Sequence, residues 1–201
     1  MPKTLTTASI EDFRDRLCDA AERMFAEYGP EAVTIRQLAS ELGVSPMTPY
    51  RYFKDKDAIL AAVRARAFDR HAEALETAYR DHPGDPGARS DAIGAAYVDF
   101  ALGHPEAYKL MFDIKQPTAW DYPELNRAGE RSRATMTAHV RDLVGAGWLR
   151  GDPEWIGHLY WGALHGPLML RFSGLIESDE MARRLIDGLV AAVTRSVMTQ
   201  T

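Results

Sequence analysis

The chain carries one cysteine, Cys18, among its 201 residues. No intramolecular disulfide is therefore possible, no CxxC metal or redox motif exists, and a reducing, cytoplasmic setting is expected. Cys18 has no histidine or metal-ligand residue near it in sequence and reads as a small core residue. Long apolar runs are also missing: nothing approaches the ~20 residues that a membrane span requires. The opening stretch, MPKTLTTASIEDF, has no apolar signal core, so secretion is not expected. There is no GxSxG elbow, P-loop, GxGxxG or HExxH. The common signatures of serine hydrolysis, nucleotide binding and zinc proteolysis are thus absent, and neither enzyme activity nor a cofactor is expected. His139, His158 and His165 lack paired ligand spacing on a short loop and read as structural histidines rather than a metal site.

What is present is ordinary globular material, 46% hydrophobic and 26% charged, with enough apolar mass for a core. The net charge of −5 argues at first against nucleic acid, but its distribution softens the objection. Residues 33–56 carry Arg36, Arg51, Lys54 and Lys56 against Glu41 and Asp55, or +2, which leaves −7 on the rest.

Three- and four-residue apolar spacing dominates, with no alternating β-type run, repeat or low-complexity segment, so the fold class is all-α. Ser9 and Asp12 pair as a helix cap before Ile10, Phe13, Leu17, Met24, Phe25 and Tyr28, and Gly29-Pro30 ends that helix. Thr34 and Gln37 form a second capping box; Ile35, Leu38, Ala39 and Leu42 point inward, and Gly43 closes the helix. Pro46 and Pro49 allow a following helix to begin near Thr48, because proline is tolerated only in the first turn. A long helix over 56–80 serves as a connector, and HPGDPG (82–87) breaks it. Helices are then expected over 91–103, 105–113, 123–144, from Asp152-Pro153 onward, and from Ser178. The helix after Pro153 is apolar nearly all round and must be buried on several sides. Gly166-Pro167 is expected to bend it.

Helix, turn and TPYRYFKDKDAIL after TIRQLASELGV resemble the DNA-binding domain of TetR (tetracycline-repressor-like) transcriptional regulators. The similarity is dense over 13–63. HPEAYKLMF and the Trp161, His165, Gly166 pattern are similar to the ligand-binding C-terminal domain of one TetR subgroup. The resemblance implies about nine helices, three of them in a helix-turn-helix domain at 9–56 (motif 34–53), followed by a ligand-binding and dimerisation domain at 57–201. It also implies a homodimeric repressor on a palindromic double-stranded DNA operator, released by a small-molecule effector. Pro49 stands where the family commonly has leucine. The competing reading is a helical ligand-binding or interaction module without operator binding, or an enzyme using His165.

Within that frame, Thr48 and Met47 are the candidate base readers and Tyr50, Arg51, Tyr52, Lys56 and the Thr34 cap the candidate phosphate anchors. Arg36 suits either role; Gln37, Ser45 and Lys54 complete the candidate DNA-binding set, and each also reads as a solvated side chain. Tyr97, Phe100, Met111, Trp120, Trp155, Trp161, His165 and Met169 are candidate pocket lining, with ordinary core as the alternative for each. Leu159, Ala163, Gly166, Leu170, Leu185, Leu189, Ala192 and Val193 are candidates for a dimer surface, with burial in the monomer core as the alternative.

Overall fold

The computed structural model describes residues 7–112 and 121–199. Within them the chain forms eight α-helices and one short 3₁₀ turn. No β-strand occurs among the described residues beyond a single bridge pairing Leu149 with Met198.

Helix α1 (Thr7–Tyr28) is already under way at Ser9, so the Ser9/Asp12 pair does not cap it as the sequence suggested. It ends where Gly29 adopts φ +79, a conformation that side chains with a Cβ rarely adopt. Helix α2 (Ile35–Glu41) carries the expected capping box: Thr34 N–H donates to Gln37 Oε1 at 2.8 Å, and Gln37 N–H donates back to Thr34 Oγ1 at 3.3 Å. Gly43 then turns the chain at φ +66.

The next helix is the first substantial departure from expectation. Residues 49–51 form only a 3₁₀ turn. Pro49 has no N–H to offer the Ser45 carbonyl, which instead accepts from Thr48 N–H at 2.8 Å; Arg51 and Tyr52 repeat that tighter step onto Thr48 and Pro49. The count is accordingly eight α-helices rather than about nine.

Helix α3 (Lys56–Asp81) is capped by Asp55, whose carboxylate accepts from Ala58 N–H. Helix α4 (Pro86–Gly103) starts earlier than expected, because Asp85-Pro86 is a side-chain cap followed by an N-terminal proline, hidden inside what looked like a pure break. The remaining helices are α5 (Pro105–Phe112), α6 (Pro123–Gly145), α7 (Pro153–Phe172) and α8 (Asp179–Val197). Helix α7 continues through Pro167 without interruption.

Two main cores share α3. Its first half supplies Ile59, Leu60 and Val63 to a cluster with Phe13, Leu17, Phe25, Leu38 and Phe53. Its second half supplies Ala67 and Leu75 to a cluster with Ile93, Tyr97, Tyr108, Met136 and Leu168. Helix α5 also reaches both: Leu110 lies in the first cluster, Tyr108 and Met111 in the second. Within the single chain, helix α7 buries one side, through Ile156, Tyr160, Leu164 and Leu168, rather than the several sides expected, and leaves Trp155 and Leu170 exposed.

Candidate nucleic-acid interface and buried cavity

The turn after α2 is held by its backbone. Val44 N–H donates to the Ala39 carbonyl at 2.9 Å, and buried Pro49 and Phe53 anchor the 3₁₀ segment on the first core. Thr34, Arg36, Gln37, Ser45, Met47, Tyr50, Arg51 and Lys54 are exposed. Met47 is 68% exposed, an uncommon position for a large apolar side chain with no partner. Among the described residues, Arg36 and Arg51 make no ion pair or side-chain hydrogen bond. By contrast, the body arginines Arg66, Arg70, Arg131 and Arg133 are each matched to carboxylates. Two exposed guanidinium groups without such partners can meet phosphates without first breaking a bond.

Three residues of the expected set are less free. Thr48 is half-buried. The Tyr52 ring stacks on Phe13 with centroids 4.3 Å apart, and its carbonyl accepts from Arg14. Lys56 donates from Nζ to the Pro30 carbonyl at 2.8 Å. Its ammonium therefore ties the end of α1 to the start of α3 before it can serve DNA.

A cavity of about 360 Å³ opens between α3, α4, α5, α6 and α7. Phe68, Tyr97, Phe112 and Trp161 supply aromatic walls, with Leu125 and Met136 beside them; Arg64, His71, Asn126, Ser132, Thr137 and His158 are among the polar groups along its side. His71 is 1% exposed, and its Nδ1 lies 2.8 Å from Ser132 Oγ while Nε2 is buried without a partner. Leaving such an atom unsatisfied costs about 1–3 kcal/mol. Burial lowers the His71 pKa to about 4, so the ring is neutral at pH 7.

Behind this wall runs a chain of side-chain hydrogen bonds. Trp161 Nε1 donates to Tyr97 Oη at 3.0 Å, Tyr97 Oη is 2.6 Å from Tyr108 Oη, and Tyr108 Oη is 2.7 Å from His165 Nδ1. Both tyrosine pKa values are raised, first of all by burial, and burial lowers that of His165. The HPEAYKLMF segment and the Trp161/His165 pattern, distant in sequence, are thus joined through Tyr108.

Of the expected lining residues, Tyr97 and Trp161 face the cavity. Phe100 packs edge-on behind His71, Met111 is core, His165 binds Tyr108, and Met169 packs on the core beneath. Trp155 is 63% exposed and lines no part of it, because it lies on the uncovered side of α7. Trp120 is outside the described residues. Sequence reading missed Arg64 and His71, which share the α3 face with Phe68. Polar residues at inward helical spacing on an apolar stripe were the available signal.

The candidate dimer residues also divide. Ala163 is buried against its own protomer and so is not open to a partner, whereas Val193 is half-buried and packs in part with Val140 and Tyr160. Leu170, Leu185, Leu189 and Ala192 are exposed, and Leu159 and Gly166 are half-buried.

The family model for bacterial regulatory proteins of the tetR family matches residues 17–63, and the model for the tetracyclin repressor-like C-terminal domain matches residues 90–193. The chain belongs to the TetR family. It is a DNA-binding transcriptional regulator, consistent with its relatives. One, named "Uncharacterized HTH-type transcriptional regulator Rv0681" of Mycobacterium tuberculosis, is 26% identical over 90% of this chain and 82% of its own length. Another, HTH-type transcriptional regulator HbdR of Aromatoleum sp., is 24% identical over 95% of this chain and 86% of its own. A solved Rhodococcus sp. RHA1 protein of unknown function superposes with a TM-score of 0.79 at 28% identity, covering 99% of this chain and all of that one. PfmR of Thermus thermophilus, a TetR-family regulator, shares the fold at a TM-score of 0.68 and 24% identity over 87% of this chain and 97% of its own. In this TetR-family chain the second motif helix is reduced to a proline-bounded 3₁₀ turn.

Proposed function

We propose that the protein is a homodimeric repressor that leaves its operator when a small molecule fills the cavity between α3 and α7. The observation that carries this reading is the double membership of α3 and α5. Both helices wall the cavity, through Arg64, Phe68, His71 and Phe112, and both place side chains in the core beneath the DNA-facing motif, through Ile59, Leu60, Val63 and Leu110. A ligand that moves either helix must repack that core. Packed cores switch between discrete arrangements rather than deforming smoothly. The functional division follows: residues 9–56 read DNA, and 57–201 bind ligand and partner, with α3 belonging to both cores.

On the DNA side, Arg36, Tyr50, Arg51, Lys54 and the Thr34 region hold phosphates, while Met47 and Thr48 meet base edges. Lys56 acts first as a brace. One such head offers few base contacts, so two heads reading half-sites about 34–36 Å apart complete the site. The second copy covers the apolar stripe of α7 and α8: exposed Trp155 and Leu170 and half-buried Leu159 with exposed Met181, Leu185 and Leu189. Working on chromosomal DNA places the protein in the cytoplasm.

The test is fluorescence anisotropy on the DNA upstream of the protein's own gene, over a range of salt. Arg51→Ala is expected to weaken binding to every sequence alike. It should also reduce the slope of log affinity against log salt by about 0.9, the value of one lost phosphate contact. Met47→Ala is expected to change which base is preferred at one position of each half-site while leaving that slope unchanged. An unchanged slope in the first variant, or an unchanged preference in the second, would remove that residue from its assigned role.

A further inference from the structure

Several polar groups around the cavity are committed elsewhere. Trp161 Nε1 and the Tyr97 hydroxyl belong to the chain that runs away to Tyr108 and His165. Thr137 Oγ1 donates to the Arg133 carbonyl, and at the rim Arg133 and Glu130 pair with each other at 2.5 Å. Arg64 donates to the Met111 carbonyl at 3.0 Å and is engaged by a further interaction. His71 stands out among them: it lines the cavity, it is almost wholly buried, and its Nε2 has no partner.

An unpartnered ring nitrogen among aromatic walls sets the chemistry of an occupant. The ring is neutral and carries no fixed charge to attract an anion. Its partner, the Ser132 hydroxyl, can donate to or accept from Nδ1, so Nε2 can be left either as an acceptor or as a donor. Phe68, Phe112 and Trp161 offer π-faces and edges for a flat apolar body. A carboxylate placed against His71 Nε2 would lose its hydration and gain no charge partner from that ring.

Resting on the effector-cavity reading above, we propose that this cavity selects an uncharged, largely aromatic molecule with a single hydroxyl or carbonyl, recognised by His71 Nε2. His71 is then the specificity-determining residue of the cavity. The apolar walls provide affinity, and the one hydrogen bond decides which apolar molecule fits.

Three probes with the same two-ring body isolate the polar group: 4-hydroxybiphenyl, biphenyl and biphenyl-4-carboxylate. Binding is read by calorimetry on the full-length protein, and DNA release separately by anisotropy. The phenol, which can donate and accept, is expected to bind wild-type protein about tenfold tighter than either of the others. In His71→Phe, which keeps a ring but removes both nitrogens, phenol and hydrocarbon should bind alike, with biphenyl affinity retained. Tightest binding by the carboxylate, equal binding of phenol and biphenyl by wild-type protein, or no binding by any probe would each overturn the proposal. So would a tenfold preference surviving in His71→Phe. The wild-type comparison decides the matter even where that variant does not fold. Phenol binding without DNA release would keep this ligand class and sink the effector reading. Release by the carboxylate and not the phenol would do the reverse.

Discussion

With Leu185 and Leu189 both replaced by glutamate, the protein is expected to sediment as a folded monomer and to lose at least about 100-fold in operator affinity. Both side chains sit one helical turn apart on α8 and are exposed, 38% and 39%, in the single chain. Their replacement removes nothing from the protomer's own core. In a dimer the same positions would be desolvated, and four carboxylates brought together across the symmetry axis would cost far more than any rim contact returns. Losing the partner leaves one half-site per molecule, and with it half of the base and phosphate contacts. The adjacent residue provides the contrast. Ile186 faces inward at 5% exposure, so Ile186→Glu should unfold the body instead of splitting a dimer. Sedimentation and circular dichroism together separate these outcomes. A double variant that remains dimeric would move the interface off α8.

Acid should destabilise the fold well before its carboxylates begin to protonate. His71 and His139 both have pKa values lowered by burial from 6.5 to about 4. For His139 the nearby Thr135 carbonyl opposes the shift, although its Nδ1 makes no hydrogen bond of normal geometry. Above pH 6.5 both rings are neutral, folded or unfolded. Below it the unfolded chain takes up protons that the folded chain refuses until about pH 4. Stability is thus fully present above pH 6.5 and is lost as pH falls towards 4, by roughly 3 kcal/mol per ring. Against the ~5–15 kcal/mol typical of a domain, two such rings matter. Urea unfolding at fixed protein concentration should show stability falling by about 2 kcal/mol per ring between pH 7.5 and pH 5. The drop should be about half as large in His71→Phe. A flat profile over that range would mean that the two rings are hydrated in solution.

The sequence made the helix-turn-helix legible because its punctuation is local. Thr34 and Gln37 close a capping box within four residues, and Gly29 and Gly43 mark turns that need positive φ. Helix α3 was bounded almost to the residue for the same reason. The 3₁₀ turn was not foreseen. Two prolines allow a helix to begin, but only the full hydrogen-bond pattern shows that one denied donor tightens the whole segment. The start of α4 was hidden because Asp85-Pro86 serves equally as a turn and as a cap.

The cavity was less legible than the fold. Periodicity shows which side of a helix is apolar but not what covers it, so Trp155 and Trp161 looked equivalent on α7. One faces solvent, and the other donates a hydrogen bond to Tyr97. Likewise Ala163 and Leu170 both fit a small-and-apolar stripe, yet only Leu170 is open to a partner. His71 lies more than sixty residues from Ser132, and nothing in the sequence alone pairs them.

The most direct measurement compares wild-type affinity for the DNA upstream of the protein's own gene with that for scrambled DNA of equal length, at several salt concentrations. The account predicts a preference of about a thousandfold or more, with both affinities falling steeply and linearly as log salt rises. Equal affinity for the two DNAs at every salt concentration would contradict it.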